Sequence, residues 1–589
     1  MRKIKSLIPT IALLILILAA GSPATQSDQL EQARSLFYKG QYEESKSIYQ
    51  QVLAENPSSD NALEAEKRIV IIRIATSDQN EVDAAFEQLC EKYSKHKNFS
   101  DAVRFIGDNY LWRSKNEKAR DMYNIAVADT KSPNFILAKM GLAIASINLS
   151  DLKTGEALTK QIFSDFADDD RLSMASRQIA DAFRYNNHHE QAIELYQYVL
   201  DNHADSEQMM WSLRGFAISN ICLRNYDAAE SATQKLCENY SEHPSIYKAV
   251  QDIADNYRWK EVKQERAREL YAVACEGMSG PDSIWPKMGF VITNIILSDF
   301  KTSDLWTDKI INEFTDDENL PKVIWRIADV YHHAGRYDSA SALSKYLLDN
   351  FPGHKQLLWV KELMVKIDIA QGNDTSVEKS IDNLYVEFKD HPDLAEAIFD
   401  VGSKYWDIAR TERNKINLKP GPNNPIPPNL RQWPILDDKI KGNYTKAHVI
   451  WERIIKELSS SSTTAQACHM VAECHRKLSQ EQQAIEYYQT VVNNWPDYQY
   501  AWHCQYMIGR IYKDLKNSNT IPESDADLII KDTFERLVEN YPDCPPARSA
   551  SIWLNNYQER ITLQRELKDL SPSQRYYFLK NRATKGGQK

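Results

Sequence analysis

The chain has 589 residues, more than one hydrophobic core usually organises, so it needs several domains or an elongated array of repeats. Its 18 glycines are about 3% of the sequence against roughly 7% in average proteins, too few for the turns of a large β-sandwich or barrel, and its 42% hydrophobic content excludes wholesale disorder. The formal net charge of -10 repels phosphates, which excludes nucleic acid as an expected partner.

At the N-terminus Arg2, Lys3 and Lys5 precede the apolar run Leu7–Ala20, and small residues stand at Ala19, Ala20, Gly21, Ser22 and Ala24. That order predicts a secretory signal over 1–24, because the run is shorter than the ~20 residues that span a bilayer. Export to the periplasm or cell envelope follows, with secretion as the alternative; cleavage and use as an anchor both stay open. Leu18-Ala19-Ala20-Gly21 resembles the start of a bacterial lipoprotein signal, but Ser22 occupies the place of that family's lipid-bearing cysteine. No later stretch reaches membrane-spanning length without charge, so the mature chain is expected to carry no transmembrane helix, peripheral envelope association staying open.

From residue 25 to 418 the chain repeats itself. Leu89-Cys90-Glu91-Lys92-Tyr93-Ser94 recurs as Leu236-Cys237-Glu238-Asn239-Tyr240-Ser241, and Asp108-Asn109-Tyr110-Leu111-Trp112 as Asp255-Asn256-Tyr257-Arg258-Trp259, both 147 residues on. Lys139-Met140-Gly141 and Ile179-Ala180-Asp181 return 148 residues on, so one residue is inserted near Val262. Helix-ending residues at Phe166, Asn202, Tyr240, Phe314, Phe351 and Phe388 divide that period into four units of about 37. Each unit carries two apolar stripes at helical spacing around a short break, as in Val323-Ile324-Ile327-Ala328-Tyr331, Gly335-Arg336, then Tyr337-Ala340-Leu343-Tyr346-Leu347, and so predicts a helical hairpin.

The segments Gly40-Gln41-Tyr42…Asn56-Pro57, Ala328…Gly335-Arg336-Tyr337…Phe351-Pro352 and Ala472…Ala484…Tyr488…Trp495-Pro496 resemble the tetratricopeptide-repeat family. Small residues such as Ala328 and Ala340 let the two helices approach, aromatic rings fill the gap to the next hairpin, glycine is expected in the turn, and proline stops the second helix. The resemblance implies an all-α right-handed solenoid of about thirteen hairpins, closed by a polar-faced helix near Ala547–Leu567. The 37-residue spacing departs from the family's ~34.

Two irregularities follow. Helices are expected at Leu394–Asn417 and Tyr444–Leu458, and between them residues 419–441 form an inserted loop, since six prolines lie between Pro420 and Pro434. Trp433 would be its aromatic anchor if it docks anything. Residues 442–570 then resume as hairpins and cap. The end, 571–589, with Arg575, Lys580, Arg582, Lys585 and Lys589, reads as a frayed basic tail.

Little of this points to catalysis. Nucleophile elbow, phosphate loop, dinucleotide fingerprint and metalloprotease helix are all missing, so no enzyme, no catalytic residue and no cofactor are expected. Cysteines 90, 222, 237, 275, 468, 474, 504 and 544 lack a disulfide framework and read as buried thiols. Cys468-His469…Cys474-His475 with His503-Cys504 is the nearest approach to a zinc set, but six residues turn Cys474 about 120° from Cys468 and only His475 shares the Cys468 face, so no metal is expected. His188-His189 and His332-His333 read as turn filler. The Asn-x-Ser/Thr triplets at Asn98, Asn148, Asn239, Asn373 and Asn443 match chance occurrence.

One pattern suggests binding. Asp108, Asp181, Asp255 and Asp329 follow a small residue and lie 73, 74 and 74 residues apart. The family resemblance puts that position on the concave groove, so these acids, with Arg104, Arg177, Arg184, Arg258, Trp112, Trp259 and Trp325 about a turn away, are expected to form a ladder for a peptide or protein partner. Bracing of neighbouring helices is the equal alternative. The functional expectation is an exported, non-catalytic scaffold or adaptor. An envelope-assembly factor resembling outer-membrane machinery, or a metal-dependent accessory enzyme built on the Pro420–Pro434 and Cys468–Cys504 regions, are the alternatives.

Overall fold

The computed structural model describes residues 25–55, 57–77, 79–204, 206–260, 263–417, 436–459 and 461–586. The expected signal at 1–24, Trp433 with the rest of 418–435, and Lys589 lie outside them. The described residues form 28 α-helices, one short 3₁₀ turn at Pro281–Ser283 and no strand. They fall into two compact units, Met1–Leu297 and Ser298–Lys589.

In the first unit seven hairpins run from Gln26–Tyr38/Tyr42–Glu55 to Ile246–Trp259/Gln264–Gly277, followed by Ile284–Ile296. The second begins with Phe300–Glu313, continues with five hairpins from Leu320–His333/Tyr337–Asn350 to Ala501–Asn517/Glu523–Asn540, and ends with Ala547–Lys568 and Pro572–Gly586. Twelve hairpins thus lie wholly within one unit or the other among the described residues, and the fold is an all-α solenoid. Ala547–Lys568 buries only Ala547 and Ala550, which leaves the polar outer face a terminal helix needs.

Apolar side chains three and four residues apart meet along the helices and pack into several successive apolar clusters in each unit. Val103, Ile106, Tyr110, Ala119 and Tyr123 pack together in the first unit, as do Ala397, Ile398, Val401, Tyr444, Ala447 and Trp451 in the second. Ala328 and Ala340 are fully buried, where a larger side chain would push two helices apart.

The turns inside the hairpins meet the expectation of glycine only in part. Helix Phe99–Trp112 ends with Ser114 N–H donating to Leu111 O and Lys115 N–H to Tyr110 O, both at 2.9 Å, a Schellman cap that needs one left-handed residue. Its six-to-one bond returns as Asp151 to Ser146, His188 to Phe183, Asn225 to Asn220 and Gln480 to His475. Yet Gly335, Gly40 and Gly372 supply that residue in only some turns; Ser114, Ser150, Asn187, Arg224 and Ser479 adopt φ of 57–64° in others. Glycine is used instead inside helices, where Gly141 sits beneath the Tyr123 ring, Gly215 beneath Tyr196, Gly289 beneath Tyr271 and Gly402 beneath Trp451.

Two ends are also corrected. The partner of Leu394–Asn417 spans Asp438–Glu457 and starts six residues before the expected Tyr444, because Asp437 accepts from Ile440 N–H at 2.7 Å and caps it there. The tail is helical over Pro572–Gly586, proline taking the first position where no N–H is needed.

Candidate peptide-binding groove on the first helices

The ladder of acids resolves into a set of braces. In the first unit Tyr123 Oη donates to Asp108 at 2.7 Å, Tyr196 Oη to Asp181 at 2.6 Å and Tyr271 Oη to Asp255 at 2.5 Å, each linking the second helix of a hairpin to its first. Arginines complete each brace. Arg104 pairs with Asp108 and Arg177 with Asp181, each at 2.5 Å one helical turn away, whereas Arg184 and Arg258 reach both the acid and the tyrosine of their hairpins. Burial raises the Asp108 carboxyl against the pull of Arg104, and raises the Tyr123 and Tyr196 phenols strongly, so both hydroxyls stay protonated donors.

A second set ties successive hairpins. Tyr257 Oη donates to Glu230 at 2.7 Å in the first unit; Tyr331 Oη donates to Asp304 at 2.5 Å and Tyr405 Oη to Asp374 at 2.7 Å in the second. Sequence reading missed these tyrosines, although Tyr123, Tyr196 and Tyr271 recur with nearly the spacing of the acids they hold. It also missed a further brace in the second unit, Tyr488 to Glu473 with Arg476 at 2.6 Å, because glutamate there replaces aspartate.

Asp329 breaks the pattern. Fifteen residues on stands Ser344, which donates to Ala340 O, so no tyrosine reaches this acid. His333 Nδ1 lies 3.5 Å from it, and His333 lines a cleft of about 390 Å³ with His332, Lys366, Asp400 and Lys404. His332 is buried rather than turn filler, and burial with Lys404 and Lys366 holds its ring down at about 3. Trp325 is half-buried and packs 6.4 Å from Trp359.

What the first unit leaves available is a strip of hollows over its first helices. One of about 380 Å³ gathers Arg104, Asp108, Leu111 and Trp112 with Leu137, Met140, Ile144 and Met174, so its floor is apolar and its rim charged. A second, of about 600 Å³, is lined by Arg177, Met210, Trp211, Arg214, Tyr240 and His243. Arg214 joins them by pairing with Asp252 at 3.1 Å and approaching Asp181 at 3.7 Å. Trp112 is 78% exposed and Trp259 61%, each beneath a neighbouring guanidinium.

The Cys468–His475 and His503–Cys504 residues do not gather into one site. Cys468 and Cys504 pack in one apolar cluster and Cys474 in another, all buried and free. His469 meets His503 at 3.2 Å, while His475 turns toward His448 of the preceding hairpin instead of sharing a site with Cys468.

The tetratricopeptide repeat family model matches residues 29–59 and 469–498. No curated protein matches the chain. Among solved structures it is similar to PilF of Pseudomonas aeruginosa, at 14% identity over 38% of this chain and 95% of that one with a TM-score of 0.27. It is also similar to a tetratricopeptide repeat protein of Parabacteroides merdae, at 13% identity over 46% of this chain and 98% of that one with a TM-score of 0.31. Over those two segments the chain matches the tetratricopeptide repeat, and both segments fall within the helical hairpins that recur along each unit.

Proposed function

We propose that this protein is an exported, non-catalytic adaptor that holds an extended or helical segment of a partner protein along the first helices of its first unit. The observation that carries the reading is the 380 Å³ hollow, where Leu137, Met140, Ile144 and Met174 offer an apolar seat beside the exposed indole of Trp112. Such a seat takes an aliphatic or aromatic anchor, and Arg104 at the rim takes a backbone carbonyl or carboxylate. Asp108, Asp181 and Asp255 act by fixing the helices that carry these side chains, so the surface is pre-organised and the ordering cost of binding falls on the ligand alone. Export rests on the leader at 1–24.

The test is selection of a displayed random-peptide library on immobilised residues 25–589, with affinity then measured by fluorescence anisotropy. Trp112→Ala combined with Met174→Glu is expected to weaken the selected peptide by about tenfold or more with unchanged far-UV circular dichroism. Equal affinity for parent and variant removes the groove. Export is tested separately by N-terminal sequencing of the protein recovered from cell fractions; an intact Met1 in the cytosolic fraction counts against it.

A further inference from the structure

We infer that His448, Glu452 and His475 form a binding site for a divalent transition-metal ion of the zinc type, stapling two successive hairpins of the second unit. His448 and Glu452 stand one turn apart on the same face of Asp438–Glu457. His475 comes from Thr464–Lys477, the first helix of the next hairpin, and its ring lies 4.9 Å from that of His448. One nitrogen or oxygen from each residue falls within 4.8 Å of the others. Donors at 2.0–2.1 Å around a tetrahedral ion stand roughly 3.3 Å apart, so small side-chain rotations close the set.

The hydrogen bonding around the cluster prepares it for a cation. Gln480 Oε1 lies 2.7 Å from His475 Nδ1, and an amide oxygen only accepts, so the proton sits on Nδ1 and the lone pair on Nε2. That Nε2 is buried with no hydrogen-bond partner, and so is His448 Nδ1. Buried nitrogens of this kind ordinarily find one. Tyr487 stacks on the His475 ring at 5.5 Å and donates to Glu452 Oε1 at 2.8 Å, so ring and carboxylate are both oriented by neighbours, as metal ligands usually are. The cation Lys456 bonds the other Glu452 oxygen from the exposed side.

Of two similar groupings, one is already satisfied by its neighbours and the other is opposed by charge. His469, Glu473 and His503 are already occupied by one another, by Tyr498, by Arg476 and by Tyr488. Asp329, His332 and His333 face Lys366 and Lys404, whose charge opposes a cation. Two imidazoles and one carboxylate suit Zn²⁺ or Co²⁺ rather than Ca²⁺ or Mg²⁺, with a fourth position left for water or a partner's side chain.

The experiment titrates Zn²⁺ and Co²⁺ into untagged residues 25–589 after chelator dialysis, by calorimetry and by the visible absorption of Co²⁺. One ion per chain, a tetrahedral Co²⁺ spectrum and a melting temperature that rises with Zn²⁺ are expected. His448→Ala and His475→Ala are expected to abolish all three, Glu452→Gln to weaken binding without disturbing the fold, and Gln480→Ala to weaken it about tenfold. His469→Ala is expected to leave the stoichiometry unchanged. Absence of one-to-one binding by the parent chain, or binding that survives in a folded His475→Ala or Glu452→Gln variant undiminished, overturns the site.

Discussion

Tyr196 Oη lies 2.6 Å from Asp181 Oδ1, and Arg177, Arg184 and Arg214 all reach the same carboxylate. One acid therefore satisfies the second helix of its own hairpin and guanidinium groups on two first helices. Tyr196→Phe removes a hydrogen bond to a charged group and is expected to cost about 1.5–3 kcal/mol. Asp181→Ala leaves three arginines facing one another and is expected to cost more, about 3–5 kcal/mol. Urea denaturation checks both, and the double variant is expected to fall well short of the sum because both remove the same bond.

Helical glycines separate into two kinds. A Cβ at Gly215 would enter the Tyr196 ring, so Gly215→Ala is expected to lower stability by about 1–3 kcal/mol. Gly442 in Asp438–Glu457 faces open space, so Gly442→Ala is expected to raise it by about 0.5–1 kcal/mol. Thermal melts of the two variants moving in the same direction would contradict the packing described here.

His332 gives a pH signature. Burial first, then Lys404 and Lys366, keep it neutral in the folded chain down to about 3, while the unfolded chain protonates it below about 6.5. The unfolded state then binds the extra proton, so stability from this residue is complete above pH 6.5 and is lost as pH falls toward 3, by up to about 1.4 kcal/mol per pH unit. Both ring nitrogens lack hydrogen-bond partners, so His332→Leu is expected to remove this dependence at little cost near pH 7. Denaturant midpoints of parent and variant between pH 4 and 8 decide it.

Thiol reactivity is expected to split three to five. Burial pushes the Cys468 thiol up to about 12 and also raises Cys474 and Cys504, while the other five cysteines are half-buried. Cys468, Cys474 and Cys504 should resist a thiol reagent that modifies all eight after denaturation. Rapid native modification of Cys474, read by mass spectrometry, would contradict its burial.

The hairpins were legible because their signal is local: Val323, Ile327 and Tyr331 mark a helical face within one turn or two, and the same arrangement returns every 37 residues or so. The turns were less legible, since a left-handed backbone can be adopted by Ser114 or Arg224 and leaves no glycine to read. The braces were half legible. Regular spacing exposed Asp108, Asp181 and Asp255, but what each acid touches depends on a tyrosine about fifteen residues away across a turn, and periodicity alone does not tell an acid facing a groove from one facing its neighbour. The histidines illustrate the limit further. His448 and His475 belong to different hairpins, so their proximity arises from stacking and has no fixed sequence spacing to betray it.

Helices Ile246–Trp259 and Gln264–Gly277 stand one residue further apart in sequence than the helices either side of Ser114, Ser150, Asn187 and Arg224, and that residue coincides with the jump in repeat offset from 147 to 148. Tyr271 is accordingly sixteen residues from Asp255 instead of fifteen, yet its hydroxyl still reaches that carboxylate. An extra residue within a helix would have swung every later side chain by about 100°. The extra residue therefore falls outside both helices, and the Asp255–Tyr271 brace keeps Ile246–Trp259 and Gln264–Gly277 in the same mutual phase as the hairpins without it.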